Sequence, residues 1–525
     1  MSINRKLPIG VQDFEDLRTN NYLYVDKTAY LYQLAHFGKP YFLGRPRRFG
    51  KSLFLSSLKS YFQGKKGLFE GLAVAGLEKE WLEYPILYID FNVGIITDKT
   101  SLYRRLDVIL TDFENQWGRS VEDNDPATRF EAVIKKACKQ TGRGVVVLVD
   151  EYDKPLINTM DNLEANEDIR KILKGFYGVL KSTDAYLRFV LLTGVTKFSK
   201  VSIFSDLNQL QDISMDNRFS GICGITETEL IENFEPEITA LAEKQKLTYD
   251  ETLVKLKKHY DGYRFCEDME DTEEIYNPFS LLNAFAKKNF ANYWYQTGTP
   301  TFLVNMLKDI NFDIRKIGNN DVSASAEFLT DYRIDSKDPI PILYQSGYLT
   351  IKGYEPLFNT FFLGFPNEEV KYGFLRNLLP AYVSADSILL NSFYAGDFIR
   401  DLWAGDTESF MSRMQSMFAS IPYDLSDCTE RHYQLVFYLL FTLMGQFVQT
   451  EVKSARGRAD AVVKTSDTIY VFEFKMDTNG TAEEALKQID EKDYLIPYTA
   501  DGRKIVKVGA EFSAEERRLS RWMAT

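Results

Sequence analysis

At 525 residues the chain is too long for one ordinary core, and two or three domains are expected. Hydrophobic residues make up 45% and charged ones 26%, the balance of a soluble globular protein, and 38 Phe with 31 Tyr are enough to fill several cores. A formal net charge of -12 excludes coating of nucleic acid or an anionic membrane by bulk charge, while leaving room for a local basic groove.

Four cysteines, Cys138, Cys223, Cys266 and Cys428, lie far apart and form no CxxC pair. That fits a reducing compartment and neither a disulfide framework nor a zinc site. With three histidines, His36, His259 and His432, any metal must rest on carboxylates, which favours Mg²⁺ or Mn²⁺. The stretch MSINRKLPIGVQDF lacks the apolar core of a signal peptide, and the longest apolar run, Leu435 to Met444, is too short for a bilayer. A cytoplasmic location without a membrane partner is expected.

In chain order, Asp26-Lys27-Thr28 reads as a turn capping a helix, with Thr28 or Asp26 as the N-cap. Next comes the apolar run Tyr41-Phe42-Leu43, then GRPRRFGKS, then apolar residues at Leu53, Phe54, Leu55, Leu58 and Phe62. This is a strand, a glycine-containing turn and an amphipathic helix. Gly50-Lys51-Ser52 falls at the helix start, where free N–H groups and the helix dipole favour an anion. Lys51 suits a phosphate, the Ser52 hydroxyl suits Mg²⁺, and Arg47 and Arg48 add charge to the same loop. Against the pattern G-x-x-x-x-G-K-[ST], Arg45 occupies the first glycine position and Gly44 lies one residue early. Either the loop is one residue longer than usual or Arg45 replaces the glycine.

Pro85 to Asn92 is a second strand ending in Asp90, and Val145-Val146-Val147-Leu148-Val149 reads as a buried parallel strand. Asp150 and Glu151 follow it at the carboxyl end, where such sheets bind ligands. Asp150 suits Mg²⁺ and Glu151 can polarise an attacking water. Leu187 to Thr193 is another strand, with Thr193 placed to sense a terminal phosphate. Helical segments at Ser101–Trp117, Arg129–Gln140 and Ile169–Ser182 alternate with these strands, giving a doubly wound α/β domain. After about residue 200 an irregular excursion leads to a helix capped by Thr226.

The middle third reads as helix-rich. Asn277-Pro278 marks a turn and helix start, and Arg264 or Arg218 is a candidate arginine finger, with an ordinary structural role as the alternative. In the last hundred residues Glu430 opens an apolar helix. Gly457-Arg458-Ala459-Asp460 and a strand AVVK follow, then a turn, then IYVFEFK with Glu473 and Lys475 on one face. A two-residue loop at Ser466-Asp467 places Asp460 opposite Glu473; a three-residue loop turns Asp460 away unless a bulge intervenes. An aspartate and a glutamate converging with a lysine suit metal-dependent phosphodiester hydrolysis, with Glu430 able to complete the metal shell. Downstream, Glu484 to Tyr494 reads as a helix and Lys504 to Ala510 as a strand. From Glu451 onward 13 Lys/Arg face 14 Asp/Glu, so this region is nearly neutral within an acidic chain.

YVDKT, RPRRFGKS, VDEYDKP, LTGVTKFSKVSIFSDLNQL and YDGYRF together resemble the AAA-ATPase-like proteins of bacteria that carry a PD-(D/E)XK nuclease-superfamily domain. GRADAVV, VFEFK and the helix with Gln488 match that second domain. The resemblance implies an α/β fold with three parts. These are an AAA-like P-loop domain over 1–225, a helix-rich lid or connecting region over 226–420 and a restriction-endonuclease-like domain over 421–525. It implies Lys51, Ser52, Asp150 and Glu151 as nucleotide-site residues, and Asp460, Glu473 and Lys475 as nuclease positions. The chain departs from the family patterns at Arg45, which predicts slow ATP turnover, and at Ala459-Asp460. It departs again at Tyr494, six residues after Gln488 where the motif has four.

The expectation is therefore an ATP-binding protein, an ATPase, coupled to a Mg²⁺-dependent DNA nuclease domain, in defence or mobile-element biology. ATP and DNA are the expected partners, and a homo-oligomer is left open. The rival is a non-cleaving switch whose final domain only binds a partner. A small-molecule kinase fits the adjacent Asp150-Glu151 less well and leaves the final domain unexplained.

Overall fold

A computed structural model describes residues 5–525 apart from 120–123, 198–208, 296–300, 311, 319–320, 331–337, 384–392, 420, 422–429, 446–448, 453–458, 514 and 517. Most of the excursion after residue 200 and the Gly457-Arg458 pair lie outside the described residues. The chain divides into two compact units, one of Met1–Thr297 with Val322–Glu369 and one of Gly298–Asp321 with Val370–Thr525.

The first unit is built on five parallel strands, β1 (Pro40–Gly44), β2 (Ile86–Asp90), β3 (Val145–Asp150), β4 (Leu187–Gly194) and β5 (Gln211–Asp212), in the order β2-β3-β4-β1-β5. All six residues of β3 are buried, because helices cover both faces of a parallel sheet. Each fully buried Val or Leu there contributes roughly 1.5–3 kcal/mol. The helices of this α/β layer are α1 (Thr28–Phe37), α2 (Lys51–Phe62), α3 (Lys99–Trp117), α4 (Pro126–Thr141) and α5 (Leu163–Ser182). Each start has its local cause. Asp26 accepts the amide N–H of Thr28 at 2.8 Å, Asp98 caps α3 in a capping box, and Asp125 precedes a proline in the first turn of α4.

Strand register positions the site. Asp90 pairs with Asp150, Val149 with Leu192, and Leu43 with Thr193. The carboxyl ends of β2, β3, β4 and β1 therefore form one rim carrying Asp90, Asp150, Thr193 and the loop after Gly44.

Beyond the sheet, α6 (Glu227–Gln245) starts at Thr226 in a capping box with Glu229, and α8 (Pro278–Lys287) starts at Asn277. Together with α7 (Tyr249–Tyr260) they bury Leu230, Phe234, Ile238, Leu256, Tyr260 and Leu281 in one cluster. The helical reading of this middle region omits a three-stranded antiparallel sheet, β6 (Val322–Ser325), β7 (Thr350–Glu355) and β8 (Thr360–Gly364), ordered β6-β8-β7. Its strands are short and partly exposed, so they lack the long apolar run that marked β3. Between β6 and β7 lies the short helix α9 (Ile340–Gln345).

The second unit ends in a mixed sheet, β9 (Gln449–Val452), β10 (Ala461–Lys464), β11 (Thr468–Met476), β12 (Lys504–Ser513) and β13 (Arg518–Ala524), in sequential order. Only β11 and β12 are parallel, and α11 (Ala482–Glu491) is their crossover. Helix α10 (Glu430–Met444) packs Phe437 and Phe441 against Phe474 and Phe472 on one face of β11. The other face takes α11 so closely that a Cβ on Gly509 would lie 2.4 Å from the Ala482 carbonyl oxygen. Among the described residues no helix is long and apolar enough to cross a membrane.

Candidate functional sites

The loop from Gly44 to Gly50 joins β1 to α2, and Gly50 precedes the helix with φ +96°, a left-handed conformation that glycine adopts without strain. Lys51 is buried, and its ammonium donates to the carbonyls of Arg45 at 2.8 Å and Pro46 at 3.0 Å. Burial pushes its pKa down, and the nearby Glu151, Asp150 and Asp153 oppose that shift. Asp150 accepts from Thr193 Oγ1 at 2.9 Å and from the Ser52 hydroxyl; burial raises its pKa and these bonds pull it back. Glu151 has φ +50°, unusual for a non-glycine residue, and pairs with Lys154 at 3.2 Å.

A cavity of about 360 Å³ opens beside these residues, lined by Arg47, Arg48, Gly50, Lys51, Ser52 and Glu151 among others. Gly10, Asn92, Lys154 and Phe279 also line it and were not singled out from sequence. Asn92 had a usable signal, since it follows a parallel strand at its carboxyl end. A second, mostly apolar cavity of about 100 Å³ shares Pro8, Gly50, Leu53, Pro278 and Leu282 with the first.

Arg45, at the first glycine position, lines neither cavity. It is buried, its guanidinium donates to the carbonyls of Gly44, Ser214 and Phe219, and it stacks on Phe265 at 4.3 Å. It braces the loop from behind. Of the arginine-finger candidates, Arg264 is engaged by the carbonyls of Asp268 and Thr272, and Arg218 pairs with Asp216 on the surface. Asp153 is a buried carboxyl that holds the turn after Thr193, accepting from the amides of Val195 at 3.0 Å and Thr196 at 2.6 Å. Burial raises its pKa to about 6.

In the second unit the β10–β11 hairpin has the two-residue loop. Thr465 N–H donates to the Thr468 carbonyl at 2.8 Å, and Lys464 pairs with Ile469 and Ala461 with Phe472. One step further, the Asp460 amide donates to Glu473 Oε2 at 3.3 Å, while Asp460 Oδ2 accepts the Phe474 amide at 3.0 Å. Glu473 is 2% exposed. Gln488 on α11 bridges the other two groups, its amide nitrogen donating to Glu473 Oε1 and its oxygen accepting from Lys475 Nζ. Helix α11 stops at Glu491 and Asp493 turns left-handed, which brings the Tyr494 hydroxyl within 3.3 Å of Gln488 Nε2. The six-residue spacing is thus absorbed by a turn. Asp460, Glu473, Lys475, Gln488 and Tyr494 form one polar cluster. Glu430 begins α10, and its side chain lies outside the described residues. Among the described residues no three His, Cys, Asp or Glu side chains converge as a metal cage, so the cluster offers two carboxylates.

The family model described as "Predicted AAA-ATPase" matches residues 8–204, and that of the PD-(D/E)XK nuclease superfamily matches residues 428–522. A protein of Azotobacter chroococcum mcd 1, "Uncharacterized protein in vnfD 5'region", is 37% identical over 524 residues, covering 98% of this chain and 97% of the relative. The chain belongs to this AAA-ATPase-like, PD-(D/E)XK-containing family. Within the AAA-ATPase-like match fall Lys51, Ser52, Asp150, Glu151 and Thr193, which the parallel sheet brings to one rim. Within the PD-(D/E)XK match fall Asp460, Glu473 and Lys475 with the bridging Gln488.

Proposed function

We propose that the protein is an ATPase whose nucleotide site controls a divalent-metal-dependent DNA nuclease in the same chain. One observation carries this reading: Asp460, Glu473 and Lys475 converge through Gln488 in a chain that also sets Lys51, Ser52 and Glu151 around a cavity, with Asp150 bonded to Ser52 behind them. The donor sets fit Mg²⁺ or Mn²⁺, which prefer hard oxygen ligands and retain several waters. Ser52 and Asp150 would hold the ion at the nucleotide site; Asp460 and Glu473 would hold it at the nuclease site, with Glu430 the candidate third ligand. When bound, the ion polarises phosphate oxygens and acidifies water.

The protein's own groups do the rest. Lys51 releases its two loop carbonyls to meet phosphate oxygens, and Arg47 and Arg48 add charge along the cavity. Glu151 orients water and takes its proton, and Thr193 reports the terminal phosphate to Asp150. The apolar cavity beside Gly50 suits the base. At the second site Lys475 orients the nucleophilic water and stabilises charge on the scissile phosphate, while Gln488 fixes Lys475 relative to Glu473.

The test is cleavage of linear, circular and single-stranded DNA with Mg²⁺ or Mn²⁺. Wild type is expected to cut at least one form, and Lys475→Ala to lose at least about 100-fold in rate. Intact DNA in every condition, with ATP binding preserved, would instead favour a non-cleaving switch.

A further inference from the structure

In the loop Arg45-Pro46-Arg47-Arg48, the first arginine is used up as a brace, and the last two line the phosphate cavity. Among the described residues no carboxylate pairs with Arg47 or Arg48. Both arginines are exposed and line the cavity beside Lys51 without a paired carboxylate. Arg48 differs from Arg47 in two respects. Its φ of +69° is a conformation that residues with a Cβ avoid, so the loop holds it there against local preference. Its guanidinium lies 4.8 Å over the ring of Phe279, which itself lines the cavity. Phe279 sits in the first turn of α8, whose start is fixed by the Asn277 cap and Pro278. An aromatic face holds a guanidinium without neutralising it, which leaves the charge available to an anion. Arg47 is anchored through its carbonyl, which accepts Trp294 Nε1 at 3.0 Å.

We propose that Arg48 is a catalytic residue of ATP hydrolysis, an arginine finger supplied by the phosphate-binding loop itself and positioned by Phe279. The inference rests on the ATPase reading above. In the step it serves, the water oxygen bonds to the γ-phosphorus as the bond to the β–γ bridging oxygen breaks. That electron pair stays on ADP, and the proton leaves through Glu151. Arg48 neutralises the charge that grows on the bridging and γ-oxygens, an effect worth about 10³–10⁵ in rate where arginine fingers act.

The experiment measures phosphate release and binding of a fluorescent ATP analogue for wild type, Arg48→Ala, Arg48→Lys, Arg47→Ala and Phe279→Leu. Arg48→Ala should lower kcat about 100-fold or more while the dissociation constant changes less than about fivefold, which also shows that the variant folds. Millimolar guanidinium should partly restore its turnover. Arg48→Lys keeps the charge without the planar fork and should remain at least about tenfold slow. Phe279→Leu should slow turnover less than Arg48→Ala, and Arg47→Ala should act on binding. Unchanged kcat in Arg48→Ala, or a loss confined to affinity, overturns the proposal. So does a wild type that binds ATP without releasing phosphate, which leaves the nucleotide site itself standing. Failure of wild type to bind ATP overturns the site reading as well.

Discussion

Lys51 is held by the carbonyls of its own loop, and the residue that supplies one of them, Arg45, is tied by the carbonyls of Ser214 and Phe219 to the segment behind it. The arginine in the usual glycine position thus braces its own loop, its side chain lying outside the cavity that Lys51 lines. Other buried charges make stability depend on pH. Asp261 is 1% exposed, and burial raises its pKa to about 7. The unfolded value is near 4, so the folded state binds this proton more tightly. The stabilisation is complete below about pH 4 and disappears as pH rises through 7. Asp261→Asn is therefore expected to match wild type near pH 4 and to exceed it by roughly 2–4 kcal/mol at pH 8, read from urea unfolding at both pH values. Equal slopes for the two proteins would show that Asp261 does not titrate as its burial dictates.

At the scale of elements, the hairpin between β10 and β11 decides whether the proposed nuclease residues Asp460 and Glu473 meet. Its two-residue loop sets Asp460 across from Glu473, and an added residue moves every upstream side chain to the opposite face. A glycine inserted between Ser466 and Asp467 should reduce DNA cleavage by at least about 100-fold while leaving ATP binding intact; retained cleavage would mean the register is not what assembles the site. This element was legible because β10 and β11 alternate or run apolar and the turn is polar and short. The same holds for β3 and β4, whose burial on two faces writes continuous apolar runs into the sequence. Strands β9 and β13 were not legible: QTEV and RLSRWMA are edge strands whose polar residues carry no run. The role of Gln488 was only half legible. Sequence spacing treated Tyr494 as a misfit, whereas the left-handed Asp493 closes the gap by leaving the helix. Phe279 and Arg48 were brought together by a contact 231 positions apart, which no local pattern encodes.

For the whole molecule, the chain passes from one unit to the other at residues 297–298, 321–322 and 369–370. The unit carrying the AAA-ATPase-like match thus includes the segment Val322–Glu369, which is joined along the chain at both ends to the unit carrying the PD-(D/E)XK match. Lys197, just after the Thr193 turn, donates its amide to Gln345 in that segment at 2.8 Å. The central claim is that ATP governs cleavage, and the most direct measurement is the rate of Mg²⁺-dependent DNA cleavage with and without ATP in wild type and Lys51→Ala. Wild type should change its rate with ATP by tenfold or more, on the order of typical allosteric coupling, and Lys51→Ala should cut at one rate regardless of ATP. Cleavage by wild type that is the same with and without ATP would contradict the account.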